Sequence, residues 1–166
     1  MGTNRLGRTY RTGEVLPIER APDFCLPTLQ DAQIEVCLSA FRGKSLLLAF
    51  WVSWCPDCHA QLPKMEVFHR SLANDGSSFI REAAAIVTVN VTGRERHVDD
   101  AIPFLKDNAF TLPVLSDRGR ETYDAFGLTS VPSWVVIDAR GMIVGRYGAD
   151  VPFIHVLETF STTISG

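Results

Sequence analysis

Apolar and polar positions alternate with a period of two in two short segments near the start of the chain. Apolar residues flank Cys25 at positions 24 and 26, and they flank Cys37 at positions 36 and 38. Residues common in turns fill the segment 27–33 between them. Because this alternation places one set of side chains on one face of a strand, the pattern predicts a β-hairpin with an apolar face.

A continuous apolar run and then a helical pattern follow the hairpin. The run from Leu46 to Val52 has the length of a strand and predicts a central strand covered on both faces. Apolar residues at helical spacing predict a helix from Pro56 to Asn74, which Pro63 should kink. The later patterns predict strands over 83–91, 112–115, 133–138 and 142–147, and helices over 98–108, 121–126 and 153–164.

The order of these elements predicts the fold class. A hairpin is followed by βαβα and then by ββα, which is typical of an α/β fold with a mixed central sheet and helices on both faces. The only shift in composition lies near residue 21. We therefore predict a flexible tail over 1–20, which is polar and contains arginines, and one domain over 21–166.

Composition and charge exclude several classes of function. The net charge of −3 comes without a basic stripe, which argues against nucleic-acid binding. The longest apolar run is far shorter than the ~20 residues that a membrane-spanning helix needs. Four cysteines are too few for a miniprotein built on disulfides, but they are enough for two pairs.

One pair forms a Cys-x-x-Cys motif between the buried strand and the following helix. A helix N-terminus carries unpaired amide groups and a partial positive charge, so it stabilises a thiolate. We predict that Cys55 is the exposed, attacking thiol and that Cys58, within the same turn, resolves the mixed disulfide. Pro56 suits the first helical turn. Asp57 places a negative charge near the thiolate, which favours a moderately reducing couple over a strong oxidant.

A zinc half-site or a pair of inert buried thiols is the alternative interpretation of this motif. Zinc needs four ligands, usually from a second closely spaced pair. Cys25 and Cys37 lie twelve residues apart, and the histidines at 59, 69, 97 and 155 show no paired spacing. The position of the motif between a strand and a helix therefore favours redox chemistry with no metal and no cofactor.

The second pair, Cys25 and Cys37, falls at opposite positions of the predicted hairpin when the turn is centred near Asp31. Opposite Cβ atoms lie ~4.5–5.5 Å apart, slightly beyond the usual separation in a disulfide. Two alternatives stay open. One is a disulfide closing a loop of about a dozen residues, which would indicate an oxidising compartment. The other is two small, partly buried apolar side chains.

Several stretches carry a family resemblance: Ala21-Pro22-Asp23-Phe24, Phe41-Arg42-Gly43-Lys44, Phe50 to Cys58, Gly127 to Ser133, and Pro63 within the helix. On these residues the chain resembles the thioredoxin superfamily, and most closely its bacterial, extracytoplasmic TlpA/ResA-like thiol-disulfide oxidoreductases, over about residues 21 to 160. The resemblance implies a thioredoxin-like fold with an N-terminal β-hairpin extension and the activity of a protein-disulfide reductase.

The resemblance also implies the surroundings of the thiols and the partners. The bond between Val131 and Pro132 would be cis, and Val131 would offer backbone groups to an extended substrate beside Cys55. The expected substrate contacts are Trp54, Pro56, Asp57, Val131 and Pro132. The expected partners are a disulfide-containing protein and a separate, membrane-bound thiol electron donor. We expect a monomer in the periplasm or on the outer face of the cell membrane, with any signal or anchor outside this chain.

The chain departs from the family at two positions associated with proton transfer. Ala49 stands where thioredoxin has a buried aspartate, and Gln61 stands where ResA-like proteins often have a glutamate. Glu66 and His59 could replace these acids, although we expect a solvated surface role for each. The sequence therefore leaves the proton path unassigned. Among the tryptophans, Trp51 and Trp134 are expected in the core.

Two other functions stay open at this stage. A non-catalytic thioredoxin-like module could use the loop at 131–132 to hold extended peptides. A peroxiredoxin-like antioxidant would have a threonine three residues before its reactive cysteine, and this chain has Val52 there. The valine argues against peroxide reduction as the main activity.

Overall fold

In the described part of the chain, two small hairpins precede the central sheet. The computed structural model describes residues 2–3, 9–10 and 19–165. In the first hairpin, β1 (Gly2–Thr3) pairs antiparallel with β2 (Thr9–Tyr10). The rest of the predicted flexible tail up to residue 18 lies outside the described residues.

The second hairpin is the one that the alternating pattern predicts. It pairs β3 (Cys25–Pro27) antiparallel with β4 (Glu35–Cys37), and Cys25 lies directly opposite Cys37. The predicted hairpin and its register are therefore confirmed. A 3-10 helix over Leu38–Phe41 connects the hairpin to the central strand.

Five strands form a mixed central sheet, as the element order predicts. The sheet has the order β7-β6-β5-β8-β9, in which β6 and β7 run parallel to β5 whereas β8 runs antiparallel to it. The last two strands form an antiparallel hairpin. The bounds are β5 (Ser45–Trp51), β6 (Ala84–Asn90), β7 (Val114–Ser116), β8 (Ser133–Ile137) and β9 (Ile143–Tyr147).

Among the residues that the structure describes, five α-helices accompany the sheet, and the sequence pattern predicts all of them but one. They are α1 (Pro56–Ala73), α2 (Ser78–Ala83), α3 (Ala101–Asp107), α4 (Glu121–Ala125) and α5 (Phe153–Ser165). The sequence does not reveal α2 because six residues are too few to display a helical repeat. Pro63 lies inside α1 as expected, and a 3-10 helix covers Thr92–Arg94. Within the described part of the chain, no helix has both the length and the hydropathy of a membrane span.

Helices cover both faces of the sheet. Trp134 of β8 donates its indole N–H to Met65 Sδ of α1 at 3.2 Å and contacts Phe153 of α5, which places these two helices on one face. Phe50 points to the other face because side chains alternate along a strand, and Trp134 pairs with Ala49. There, Phe50 contacts Phe126 at the end of α4 at a ring separation of 5.7 Å.

The central strand β5 is buried along its whole length. This explains its continuous apolar sequence, because neither face of the strand reaches water. Trp51 and Trp134 are both fully buried, which confirms their predicted place in the core. The strand therefore forms a rigid base for the chain segment that follows it.

The hairpin of β3 and β4 is attached to this core by side chains and backbone. Phe24 packs edge-on against Phe126 at 6.3 Å, and Leu29 N–H donates to Val114 C=O at 2.9 Å. Glu19, at the end of the predicted tail, forms a bidentate ion pair with Arg146 of β9 at 2.6 and 2.8 Å. Glu19, within the predicted tail, therefore contacts the domain.

Candidate active site

Cys55 lies where the buried strand β5 gives way to helix α1. It is the N-cap residue of α1, and its Sγ accepts the backbone N–H of Cys58 at 3.3 Å. Pro56 occupies the first helical position, where a backbone N–H would have no acceptor within the helix, so proline loses no hydrogen bond there. The amide and the helix dipole both favour a negative charge on the Cys55 sulfur, so the local structure is suited to a thiolate.

Both cysteines of the motif are free thiols, and their burial differs slightly. Cys58 has no exposed surface, whereas Cys55 keeps 6 % of its surface exposed. The expectation of a plainly exposed Cys55 is therefore corrected, because the loop at 131–132 partly covers its sulfur. Cys55 is still the thiol of the pair that solvent reaches.

The environment of Cys58 favours its protonated form. Burial raises the pKa of the Cys58 thiol far above its ordinary value, and the neighbouring Cys55 and Asp57 raise it further. A hydrogen bond with the backbone of Val52 acts in the opposite direction and is outweighed. The two sulfurs thus have distinct environments, with a helix N-terminus at one and a desolvated pocket at the other.

The loop before β8 lies against the Cys55 sulfur. The peptide bond between Val131 and Pro132 is cis, and the Cys55 thiol lies 3.6 Å from Val131 C=O. Ser133 Oγ donates to Ser130 C=O at 2.7 Å across this loop. Val131 is half-buried and Pro132 is buried. The structure therefore brings these two predicted residues next to Cys55.

Trp54 forms part of the surface beside the thiols. Its side chain is 37 % exposed, and its indole N–H donates to Arg94 C=O at 2.9 Å. The guanidinium group of Arg96 lies over the indole ring at 5.5 Å. Pro56 and Asp57 are exposed at the start of α1, so all three predicted contact residues lie on the same exposed rim as the motif.

Glu95 binds Ser53, the residue before Trp54, and no sequence pattern identifies this contact. The Glu95 carboxylate accepts the backbone N–H of Ser53, the Ser53 hydroxyl at 2.6 Å and the Asn90 amide at 3.4 Å. Forty-two residues separate Glu95 from Ser53, so no local pattern connects them. The shared carboxyl edge of β5 and β6 brings them together, which fixes the turn that carries Cys55.

Glu66, one of the two residues that could replace the missing acids, is buried, whereas we expect a solvated side chain from the sequence. Glu66 is 6 % exposed, and its carboxylate accepts the backbone N–H groups of Thr111 and Leu112 and the Thr111 hydroxyl. The predicted solvated role of Glu66 is therefore wrong. Burial raises the pKa of Glu66, but these hydrogen bonds and Arg70 outweigh burial and leave it lowered. The carboxylate thus holds the 111–112 backbone.

The remaining residues associated with proton transfer are His59, Gln61 and Ala49. His59 is exposed as expected, and its ring stacks on Phe104 at 4.7 Å while Nε2 contacts Ser53 C=O. Gln61 Oε1 is buried and has no hydrogen-bond partner in the described part of the chain. Ala49 is fully buried in the strand. The two departures from the family therefore supply no ionisable group near Cys58.

The other two cysteines form a disulfide with an S–S distance of 1.98 Å. Of the two alternatives that the sequence leaves open, the disulfide is the one found. The Glu35 carboxylate lies within 4.8 Å of both sulfurs, which is a spacing compatible with metal ligands. Because the sulfurs are bonded to each other, they are not available as thiolates for a metal.

These features define a class of protein. A sheet of this order, with two free thiols at the start of a helix and a cis-proline loop against the first sulfur, is a thioredoxin-like fold carrying a dithiol site.

Comparison with known proteins agrees with this class and gives the family. The chain belongs to the AhpC/TSA family, whose model matches residues 17–146. It is 31% identical over 140 residues to the thioredoxin-like protein YneN of Bacillus subtilis, covering 83% of this chain and 76% of YneN. It is 32% identical over 124 residues to the thiol-disulfide oxidoreductase ResA of Bacillus subtilis, covering 75% of this chain and 63% of ResA. The chain thus spans just under two thirds of that ResA.

A solved structure supports the same fold. The exposed lipoprotein thioredoxin Etrx1 of Streptococcus pneumoniae strain TIGR4 superposes with a TM-score of 0.68 at 25% identity. The superposition covers 85% of this chain and 99% of Etrx1. The chain is therefore similar to thioredoxin-like proteins in both sequence and structure, and its homologues include thiol-disulfide oxidoreductases.

Proposed function

We propose that this protein is a thiol-disulfide oxidoreductase that reduces disulfides in other proteins through Cys55 and Cys58. One observation carries the proposal. The Cys55 sulfur accepts an amide N–H at the start of α1 and also lies 3.6 Å from the backbone of the loop at Val131. A nucleophile and a backbone edge suited to an extended peptide therefore occupy the same place.

The proposed cycle uses the two sulfurs in sequence. The Cys55 thiolate attacks one sulfur of a substrate disulfide, and the other substrate sulfur leaves as a thiolate that takes up a proton. Cys58 then loses its proton and attacks Cys55 Sγ, which releases the second substrate thiol and leaves a Cys55–Cys58 disulfide. An external dithiol reduces this disulfide and returns both thiols.

The electrostatics of the site support the reducing direction. A dithiol whose thiolate is strongly stabilised is a strong oxidant, because its reduced form is then favoured. Here burial raises the pKa of Cys58, and Asp57 adds a negative charge in the first turn of α1. Both effects keep Cys58 protonated in the reduced protein, so Cys58 adds nothing to the thiolate stabilisation that characterises a strong oxidant.

The rim around Cys55 supplies the proposed substrate contacts. Trp54 offers an exposed apolar face, and the backbone at Val131 offers hydrogen-bonding groups. Pro132 shapes this loop from its buried position, while Pro56 and Asp57 border the thiol on the helix side. A substrate segment in extended conformation would lie between the tryptophan and the loop.

Location and electron donor form the last part of the proposal. The name of Etrx1 describes an exposed lipoprotein, and the hairpin of this chain contains a disulfide. Disulfides persist in oxidising compartments outside the cytoplasm. We place this protein there, as a monomer, and propose a membrane-bound thiol protein as the donor that reduces Cys55–Cys58.

Reduction of insulin disulfides by the protein with dithiothreitol as donor tests the proposal. The unmodified chain should accelerate the reaction, and Cys58→Ala should accumulate a mixed disulfide with substrate through Cys55. A variant with Cys25→Ala and Cys37→Ala is the matched control and should retain the activity. Unchanged activity in Cys55→Ser would refute the proposal and would favour a peptide-binding module.

A peroxide assay distinguishes the proposed function from that of a peroxiredoxin-like antioxidant. Val52 is fully buried three residues before Cys55 and offers no hydroxyl to a peroxide. The reduced protein should therefore consume hydrogen peroxide far more slowly than it reduces insulin. Rapid peroxide turnover would contradict the proposed function.

A further inference from the structure

The disulfide of the hairpin is accessible to solvent, unlike the thiols of the motif. Cys25 is exposed and Cys37 is half-buried. Both cysteines line a surface depression of about 400 Å³, together with Asp23, Ser39 and Arg42. A small thiol can therefore reach Cys25 without any unfolding of the chain.

The backbone pairing of the hairpin does not depend on the disulfide. Leu38 N–H donates to Phe24 C=O at 2.9 Å on one side of the cysteine pair, and Thr28 N–H donates to Ile34 C=O at 2.8 Å near the turn. The cysteines lie one residue inside the first of these bonds, at a position where opposite residues exchange no backbone hydrogen bonds. Breaking the S–S bond therefore removes no backbone hydrogen bond of the hairpin.

The turn and the base of the hairpin are also held independently. The Thr28 hydroxyl donates to Asp31 C=O at 2.7 Å, and Gln33 N–H donates to the Asp31 carboxylate at 2.9 Å. Leu29 N–H donates to Val114 C=O in the central sheet. The folded hairpin therefore has the contacts to persist in the reduced form.

The two cysteine pairs lie on different elements of the fold. The disulfide joins the two strands of the hairpin β3–β4, whereas Cys55 and Cys58 lie at the start of α1, directly after β5.

We propose that Cys25–Cys37 is a second redox centre, which an external dithiol reduces reversibly in the folded protein. One thiolate of the dithiol attacks the exposed Cys25 Sγ, the S–S bond breaks, and Cys37 leaves as a thiolate that takes up a proton. The second thiol of the dithiol then displaces Cys25, which also takes up a proton. Two electrons and two protons pass from the dithiol to the hairpin, and the dithiol becomes a disulfide. This inference does not depend on the proposed activity of Cys55.

Glu35 controls the rate of this reaction. Its carboxylate lies within 4.8 Å of both sulfurs and repels the attacking thiolate as well as the thiolate that leaves. At that distance in water, one unit charge changes a rate by about fourfold. Arg42 and Asp23, at the rim of the depression, carry opposite charges that partly compensate each other. The Glu35 carboxylate is therefore the charge that sets how fast the pair opens.

Differential alkylation of the complete, folded protein tests the second redox centre. Cys55 is first blocked with iodoacetamide, dithiothreitol is added without denaturant, and new thiols are labelled with a second reagent and located by peptide mapping. We expect Cys25 and Cys37 to become labelled together at a rate that low urea concentrations leave unchanged. Oxidised dithiothreitol should restore the disulfide. Labelling that appears only as the protein unfolds in urea would overturn the proposal.

Two charge variants test the assignment of Glu35. Glu35→Gln should open about fourfold faster than the unmodified chain, and added salt should reduce this difference because it screens exposed charges. Glu158→Gln, which alters an exposed glutamate on α5, is the matched control and should open at the original rate. Equal rates in the two variants would overturn the role of Glu35.

Discussion

The two cysteine pairs of this protein differ in bonding, in exposure and in the secondary structure that carries them. Cys55 and Cys58 are free, buried thiols at the start of a helix, and one of them contacts a proline loop. Cys25 and Cys37 are joined across an antiparallel hairpin at the surface. The same side chain thus has two chemistries, and the secondary structure beneath each pair decides which one it has.

The comparison shows why spacing and context must be considered together. Cysteines three residues apart at a helix start share a turn, and one of them gains an amide donor. Cysteines opposite each other in a hairpin are brought together by strand pairing and gain no such donor. The first arrangement favours a nucleophile, and the second favours a stable bond between the sulfurs.

The largest expected effect is on the rate of insulin reduction, which should depend on Cys55 and not on the hairpin disulfide. Cys55→Ser should lower insulin reduction by about a hundredfold or more, since a hydroxyl is a far weaker nucleophile than a thiolate. The double variant Cys25→Ala, Cys37→Ala should keep the rate within about twofold. The comparison breaks down if the hairpin variant loses as much activity as Cys55→Ser.

The free energy of unfolding should depend on the hairpin disulfide more than on Cys55. Removing the hairpin disulfide should lower the free energy of unfolding by about 3 kcal/mol, because a cross-link over a dozen residues restricts the unfolded chain. Cys55→Ser should change that free energy much less. Urea unfolding with Cys25–Cys37 oxidised and with Cys55 and Cys58 reduced measures both values. A loss well below about 1 kcal/mol in the hairpin variant would indicate that the unfolded chain gains little freedom.

The pH dependence of stability should distinguish the buried thiol from the bonded pair. The pKa of Cys58 is raised in the folded protein, so its stabilising effect is fully present below the unfolded thiol pKa of about 8.5 and is lost as pH rises above it. The loss should approach about 1.4 kcal/mol per pH unit. Urea unfolding with Cys55 and Cys58 reduced should show this slope, and Cys58→Ala should lack it. An equal slope in Cys58→Ala would show that other groups cause it.

The smallest expected effect concerns the support of Cys55 by Glu95. Glu95→Gln should lower kcat/KM for insulin by about threefold to tenfold, because the amide keeps one acceptor for Ser53 but loses the charge and the second acceptor. Glu158→Gln is the matched control. The urea midpoint should be measured alongside, since a rate change without a midpoint change assigns the effect to the position of the thiol. An unchanged kcat/KM for insulin would show that Glu95 does not support Cys55.

Much of the fold follows from patterns that are local in the sequence. The apolar run of β5, the alternation around Cys25 and Cys37, and the helical stripe of α1 each predict the element found. The errors have local causes as well. Helix α2 is too short to show a repeat, and α3 begins at Ala101, later than its apolar pattern suggests.

The site itself could be predicted only in part. The helix start at Cys55 is visible in the sequence because a strand pattern, a motif and a helix pattern are consecutive. The contact of Glu95 with Ser53 and the burial of Glu66 against residues 111–112 are not visible, because each joins segments more than forty residues apart. A glutamate on a helix has no sequence feature that distinguishes a buried carboxylate from a solvated one.

The sequence alone determined that a dithiol opens a helix after a buried strand and that two further cysteines oppose each other in a hairpin. Those properties depend on residue spacing, and the periods of strands and helices convert spacing into position. Only the tertiary structure decided that the hairpin cysteines are bonded, that the loop at Val131 covers Cys55, and which carboxylates are buried. Those properties depend on how distant segments pack, and packing sets the desolvation and the hydrogen-bond partners of each group.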